Sequence, residues 1–422
     1  MKTIIKKGDL IKGLPFKWNM EIHHIKEGAY WRACKDNRIS AEINFQEGEL
    51  TVSIVFSKYL DQPVQLSGNA QEGDSALICN TGNRIALYIN SVTADEDWPL
   101  GEADLNGAIC FDANIECWIH DDFSFYEKEK KSFKPEEIND VMTWRPKGRN
   151  TSIGDCMPFS HGGMYRLFYL FDRRHHKSKW GLGAHQWGQI ITRDFKTWQT
   201  CPMAISIDEQ YEGSICTGSV IEHNDNFYAF YAVRMSDRSP ARLTYAVSRD
   251  CVHFQKSGEY ITLRPPYEPV SARDPKVFSD DQGLFHMLVT TSVNGRGALA
   301  HLVSDNLQDW IQREPFIILD NAAQPECPDY FKFGDYYYLL YGIHGAAHYF
   351  YSRNPFGPWA APVDNIVAHK KLRVPKAAVL NERLVFAGFI ADSDGNYGGH
   401  IELYEAKPAC ENNGRLVFQL LK

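Results

Sequence analysis

The chain of 422 residues is too long for one ordinary core; at roughly 100–200 residues per domain it suggests two. With 44% hydrophobic and 23% charged residues it is globular, neither disordered nor membrane-spanning, and a net charge of −8 argues against a nucleic-acid partner. Aromatic residues stand at 13%, and with 31 Gly and 20 Pro they point to many short strands joined by turns.

The opening stretch, MKTIIKKGDLIKGLPF, lacks the apolar core and small-residue cleavage site of a secretory leader, and no run approaches the roughly 18 apolar residues of a membrane span. Ten scattered cysteines without a C-x-x-C pair fit reduced thiols in a cytoplasmic protein better than a disulfide frame or a zinc site. Residues 1–130 read as an antiparallel β-sandwich. Apolar and polar residues alternate in ISAEINF (39–45), LTVSIVFS (50–57), SALICN (75–80) and NRIALYINSV (83–92), with turn residues between. Trp98 in DEDWP is expected in packing or at a domain contact. The stretch EKEKKSFKPEE (127–137) is too charged to bury, so 131–148 is read as a linker, with a short helical turn at PEEIND (135–140).

From 149 to 422 a repeat emerges. ITRDFKTW (191–198), VSRDCVHF (247–254), LVSDNLQDW (302–310) and YSRNPFGPW (351–359) share one pattern: a strand end, Ser or Thr, a polar turn, then an aromatic residue. Taking Asp194, Asp250, Asp305 and Asn354 as markers, an aromatic strand such as YRLFYLF, FYAFYAV, LFHMLVT or YYYLLYG precedes each. A second marker leads each unit: GDCMPF, TGSVI, RDPKVF, ECPDYF and VPKAAV. Five units of about four short strands describe a five-bladed β-propeller, so the fold class expected is all-β, a sandwich followed by a propeller.

In a propeller the leading strands line the central channel, and their polar residues converge. They supply Asp155, then Gly218 and Ser219, then Arg273 and Asp274, then Glu326 and Asp329. Three carboxylates confined together repel and desolvate one another, a cost usually retained for a cation, a cationic transition state or acid/base work. Glycoside hydrolysis needs one carboxylate to attack or stabilise an oxocarbenium-like centre and one carboxylic acid to protonate the leaving oxygen. The reach of Glu326 suits the acid, the shorter Asp155 suits the nucleophile, and Asp274, braced by Arg273, could hold sugar hydroxyls. No metal or organic cofactor is required.

The series GD-x-MPF, YRLFYL, W-G-(x)4-RDFKTW, TGS, RDP and EC-PD, with the tail GNYGGHIELYE, resembles glycoside hydrolase family 32, the β-fructofuranosidases. The resemblance implies a five-bladed propeller that hydrolyses fructofuranosides with retention. It makes Asp155 the nucleophile, Glu326 the acid/base and Asp274 the transition-state stabiliser, with Trp187, Ser219 and Arg273 in the fructose subsite. The sequence departs from the family at Gly154-Asp155-Cys156-Met157-Pro158, where most members have Asn-Asp-Pro-Asn-Gly, and at Trp187-Gly188-Gln189-Ile190 in place of Trp-Gly-His-Ala. The expected substrate is therefore a small carbohydrate, sucrose or a short fructo-oligosaccharide, with a modified pocket. An inverting propeller glycosidase acting on arabinofuranosides or xylosides, or a catalytically silent sugar-binding propeller, would use the same groups.

Trp180, His185 and Trp187, in the loop DRRHHKSKWGLGAHQW (172–187), are candidate sugar contacts at the channel mouth. His175 and His176 read as surface residues, not metal ligands. Asp329 reads as a turn or supporting residue. Period-two alternation turns Cys156 and Cys327 away from the channel, into packing.

Overall fold

A computed structural model describes residues 2–57, 63–82, 84–99, 101–124, 133–148, 151–173, 185–209, 211–235, 237, 239–393, 397–409 and 414–421. The chain is all-β: every complete element among these residues is a strand. No helix among them is long and apolar enough to cross a membrane.

Alternating apolar residues build the first 120 residues as two antiparallel sheets. One orders its strands Thr3–Ile5, Cys117–His120, Trp18–Ile22, Ala76–Asn80, Ile85–Ile89, Val92–Asp97; the other orders them Ile109–Ala113, Tyr30–Lys35, Arg38–Gln46, Glu49–Ile54, Val64–Asn69. In Glu49–Ile54 the period-two pattern buries Leu50, Val52 and Ile54. These join Trp18, Trp31, Phe45, Ile78 and Leu87 in one core shared by both sheets. The run 83–92, expected as one strand, is two. Asn90 and Ser91 both adopt positive φ (47° and 68°), the backbone of a tight two-residue hairpin, and fold Val92–Asp97 back on Ile85–Ile89.

The expected helical turn at 135–140 is instead extended. Glu137–Ile138 pairs antiparallel with Trp198–Thr200, and Ile138 and Val141 are buried beside Trp198. Here β-sheet pairing and apolar burial override the local charge pattern. Trp98 is fully buried against the later sheets, edge-on to Phe171 with ring centroids 4.8 Å apart.

Beyond residue 150, one antiparallel unit recurs. Its leading strands are Thr151–His161, Glu212–His223, Arg273–Ser279, Glu326–Phe333 and Arg373–Leu380. Each pairs with a following strand, and that strand with a third. The third strands end in a repeated turn. Thr192 pairs with Asp194, Ser248 with Asp250 and Ser304 with Asn306, and each Asp or Asn accepts the backbone N–H groups two and three residues on. This side-chain-to-backbone closure fixes the turn. The third marker is thus Asn306 and not Asp305, one residue later than the sequence pattern suggested, since only Asn306 stands two residues after the serine. The five leading strands lie side by side in cyclic order, the fifth beside the first.

Candidate active site

All five leading strands break register with their partners at the same place. The irregularities fall between Ile153 and Cys156, Ile215 and Gly218, Arg273 and Lys276, Glu326 and Asp329, and Arg373 and Lys376. A β-bulge re-aims the side chains within it. Asp274, Cys327 and Val374 occupy equivalent bulge positions and share left-handed φ values of 56°, 50° and 43°. For residues with a Cβ this backbone is unfavourable and persists only where the surroundings enforce it.

The bulges line a cavity of about 290 Å³ with side chains from all five strands, among them Asp155, Thr217, Asp274, Glu326, Cys327 and Arg373. Asp155 is buried at 3% exposure. The Tyr397 hydroxyl donates to its Oδ1 at 2.7 Å and accepts its backbone N–H at 2.9 Å, while Thr217 donates to Oδ2. A Cβ on Gly154 would collide with the Tyr397 ring, so this approach requires glycine before the aspartate. Asp274, at 5% exposure, accepts the Cys327 backbone N–H at 3.1 Å and lies 3.6 Å from Arg273 Nε. Burial raises its pKa, Arg273 opposes the shift, and the charges of Asp155 and Glu326 reinforce it.

Glu326 is the outermost of the three carboxylates, its side chain half exposed, and its Oε1 accepts from Arg273 Nη2 at 2.8 Å. The Arg273 guanidinium also reaches the Ser271 carbonyl and Gln324 Oε1, so it is fixed between Asp274 and Glu326. The sequence reading placed Asp155, Asp274, Glu326 and Arg273 together, and the structure brings all four to this cavity.

Three further expectations need correction. Trp187 does not line the cavity: it is fully buried, with Nε1 donating to the Cys216 carbonyl at 2.8 Å, because the inner side of its strand faces a neighbouring sheet. Ser219 lies past the bulge and away from the cavity. Its hydroxyl donates to the Pro275 carbonyl at 3.0 Å and accepts the Val277 N–H at 2.9 Å, stitching the second leading strand to the third. Cys327, expected to turn away, points in. Its Sγ lies 3.6 Å from Asp155 Oδ2 and 3.4 Å from Asp274 Oδ2, since the bulge breaks the period-two alternation. Burial and the two carboxylates push its thiol pKa well up, keeping it protonated.

His185 does line the cavity, its Nε2 2.6 Å from Asp172 Oδ1 and its ring 5.2 Å from that of Tyr397. Trp180, His175 and His176 lie outside the described residues. Cys156 packs in the core. Asp329 is fully buried and supports the strands, holding Lys276 Nζ at 2.6 Å and the Ala377 N–H at 2.7 Å. No group of His, Cys, Asp and Glu among the described residues could hold a metal ion. Thr217, Tyr397 and Arg373 escaped the sequence reading. For Arg373 a signal existed: RVPK (373–376) repeats the form of RDPK (273–276) and stands at the equivalent bulge.

Two buried carboxylates beneath a third, partly exposed one can together attack or stabilise a cationic carbon and exchange a proton with a leaving oxygen. Residues 156–354 match the glycosyl hydrolases family 32 N-terminal domain, with Asp155 one residue before the matched stretch. The chain is 28% identical over 250 residues to a sucrose-6-phosphate hydrolase of Zymomonas mobilis, covering 52% of this chain and 48% of that protein. It is 31% identical over 181 residues to the sucrose-6-phosphate hydrolase of Bacillus subtilis, covering 40% of this chain and 36% of that one. The chain thus spans about half, or less, of the length of these curated relatives. At the level of fold it is similar to fructan 1-exohydrolase IIa from Cichorium intybus, with a TM-score of 0.53 and 16% identity over 65% of this chain and 59% of that one.

Proposed function

We propose that the chain, which matches the glycosyl hydrolases family 32 N-terminal domain across residues 156–354, is a divergent member of that family and a retaining glycosidase cleaving β-fructofuranosidic bonds in sucrose, a phosphorylated sucrose or a short fructo-oligosaccharide. The observation that carries this reading is the gathering of Asp155 and Asp274 around Cys327 Sγ, at 3.6 and 3.4 Å, with the more exposed Glu326 held by Arg273 on the same cavity. Asp155 attacks the anomeric carbon while Glu326 gives its proton to the leaving oxygen, leaving a fructosyl ester on Asp155. Glu326 then takes a proton from water, which attacks the anomeric carbon and frees Asp155 as carboxylate. Tyr397 and Thr217 hold the Asp155 carboxylate in one orientation through both steps. Asp274, with Arg273 beside it, receives sugar hydroxyls and balances the developing positive charge.

The scaffold proposed is a five-bladed propeller over 149–422, preceded by a sandwich over 1–130 and joined through 131–148. The cyclic order of the leading strands and their shared lining of one cavity support it. A cytoplasmic setting is supported by the free thiols Cys110, Cys117, Cys156, Cys251 and Cys327.

A panel of aryl furanosides, with wild type and Glu326→Gln side by side, tests this reading. Turnover of the β-fructofuranoside that collapses in Glu326→Gln is expected. Turnover of arabinofuranosides or xylosides alone, or no turnover of any glycoside, would overturn it.

A further inference from the structure

The cavity of the three carboxylates gives way, along the same leading strands, to a second of about 260 Å³, and Lys376 marks the boundary. On the fifth leading strand Val374 and Pro375 line the first cavity and Lys376 the second; on the second leading strand the change falls between Thr217 and Gly218. Lys376, 2% exposed, donates from Nζ to the Gly218 carbonyl at 3.0 Å. The second and fifth strands are not neighbours in the cyclic order, so the lysine crosses from one to the other where the two cavities meet. The residue before Gly218 is Thr217, which donates to Asp155.

A buried ammonium is costly unless opposite charge matches it. Lys276, Asp329 and Lys376 hold the same place, the end of the bulge, on the third, fourth and fifth leading strands. Asp329 accepts from Lys276 Nζ at 2.6 Å and from the Tyr330 and Ala377 N–H groups at 3.0 and 2.7 Å. The other carboxylate acting on Lys376 is Asp274, so two ammoniums stand against two carboxylates. Burial lowers the Lys376 pKa and Lys276 adds to that, while the Cys327 thiol, Asp329 and Asp274 oppose. Around Asp274 itself stand Arg273, the charges of Asp155 and Glu326, and the Cys327 N–H and thiol.

We propose that Lys376 is a positioning residue: its ammonium, held across the end of the cavity on the Gly218 carbonyl, is the countercharge that keeps Asp274 a carboxylate at the pH of turnover. What Asp274 then does for catalysis rests on the glycosidase reading; the countercharge does not. Without Lys376, four carboxylates (Asp155, Asp274, Glu326 and Asp329) face two cations, Arg273 and Lys276. Asp274, already raised by burial, then takes up a proton at higher pH. A neutral Asp274 no longer balances positive charge on the anomeric carbon.

Two variants separate charge from packing. Lys376→Gln keeps an N–H for the Gly218 carbonyl and removes the charge, whereas Lys376→Arg keeps the charge. In protein labelled with ¹³C at the aspartate carboxyls, the Asp274 resonance is assigned by its loss in Asp274→Asn. It should titrate about one pH unit higher in Lys376→Gln than in wild type, and close to wild type in Lys376→Arg. The acid limb of kcat/KM on a β-fructofuranoside should move by the same amount. An Asp274 midpoint equal in wild type and Lys376→Gln overturns the proposal. A moved midpoint in a protein that cleaves no β-fructofuranoside upholds the countercharge and overturns the glycosidase reading instead. Should Lys376→Gln fail to fold, wild type decides. Its Lys376 ¹⁵Nζ resonance, assigned by its loss in Lys376→Arg, should be that of an ammonium at pH 7, and a neutral amine there overturns the proposal.

Discussion

Tyr397 grips Asp155 at two points across 242 residues of sequence, donating to its carboxylate at 2.7 Å and accepting its backbone N–H at 2.9 Å. Tyr397 lies between the second and third strands of the fifth unit, Arg383–Ala391 and Gly399–Pro408, whereas Asp155 stands on the first leading strand. One hydroxyl therefore both orients the proposed nucleophile and ties the end of the repeat to its beginning. Tyr397→Phe removes both of these bonds from a buried site. It should cost about 1–3 kcal/mol of stability and lower kcat roughly 10–100-fold with little change in KM, measurable by denaturant unfolding and initial rates.

Asp274 connects stability to pH. Its folded-state pKa is raised above 3.8 by burial, with Arg273 opposing. Such a group contributes stability that is fully present below its unfolded pKa and is lost as pH rises through the folded value. Asp274→Asn removes that loss. Relative to wild type, Asp274→Asn should be stabilised at pH 7, and the difference should shrink as pH falls through the raised value toward 3.8. Its turnover should fall roughly 100-fold or more. Parallel denaturant titrations from pH 7 to pH 4 check the sign; a difference that grows toward acid contradicts the burial argument.

Cys327 faces the cavity, yet its thiol is held protonated by burial and by Asp274 and Asp155. Because the thiolate is the reactive form, incubation with iodoacetamide at pH 7.5 should leave turnover intact. Mass spectrometry of the Cys327 peptide should show no alkylation, whereas rapid labelling would contradict the electrostatics of the site.

Trp187 and Ser219 separate scaffold from subsite. Trp187→Ala should destabilise by about 3–5 kcal/mol through cavity formation. Ser219→Ala, which strands the Val277 N–H, should cost about 1–3 kcal/mol. Neither should change KM per folded molecule. A rise in KM from Ser219→Ala without loss of stability would return it to the sugar-binding surface.

Phase made the three carboxylates legible. Asp155, Asp274 and Glu326 lead the first, third and fourth units, and leading strands that neighbour one another in a ring bring such positions together. Register irregularity hid the rest. Alternation assigned Cys327 to the far side of its strand, but a bulge with left-handed backbone at that residue reverses it. Ser219 follows its bulge and Thr217 sits inside it, so the cavity receives the threonine. Trp187 shows the limit of reading aromatic residues as sugar platforms, because whether a ring packs or is presented depends on the neighbouring sheet. The helical turn expected at 135–140 was lost to a pairing 60 residues away, between Ile138 and Trp198, which no local pattern encodes.

The most direct measurement of the proposed chemistry is the anomer first released. A β-fructofuranoside labelled with ¹³C at its anomeric carbon, followed by ¹³C NMR at high enzyme concentration, should yield β-fructofuranose first, before mutarotation spreads the signal. Tyr397→Phe and Glu326→Gln should slow its appearance without changing which anomer leads. First release of the α anomer would mean that water, activated by Asp155, attacks the sugar directly, and would contradict a covalent intermediate on Asp155.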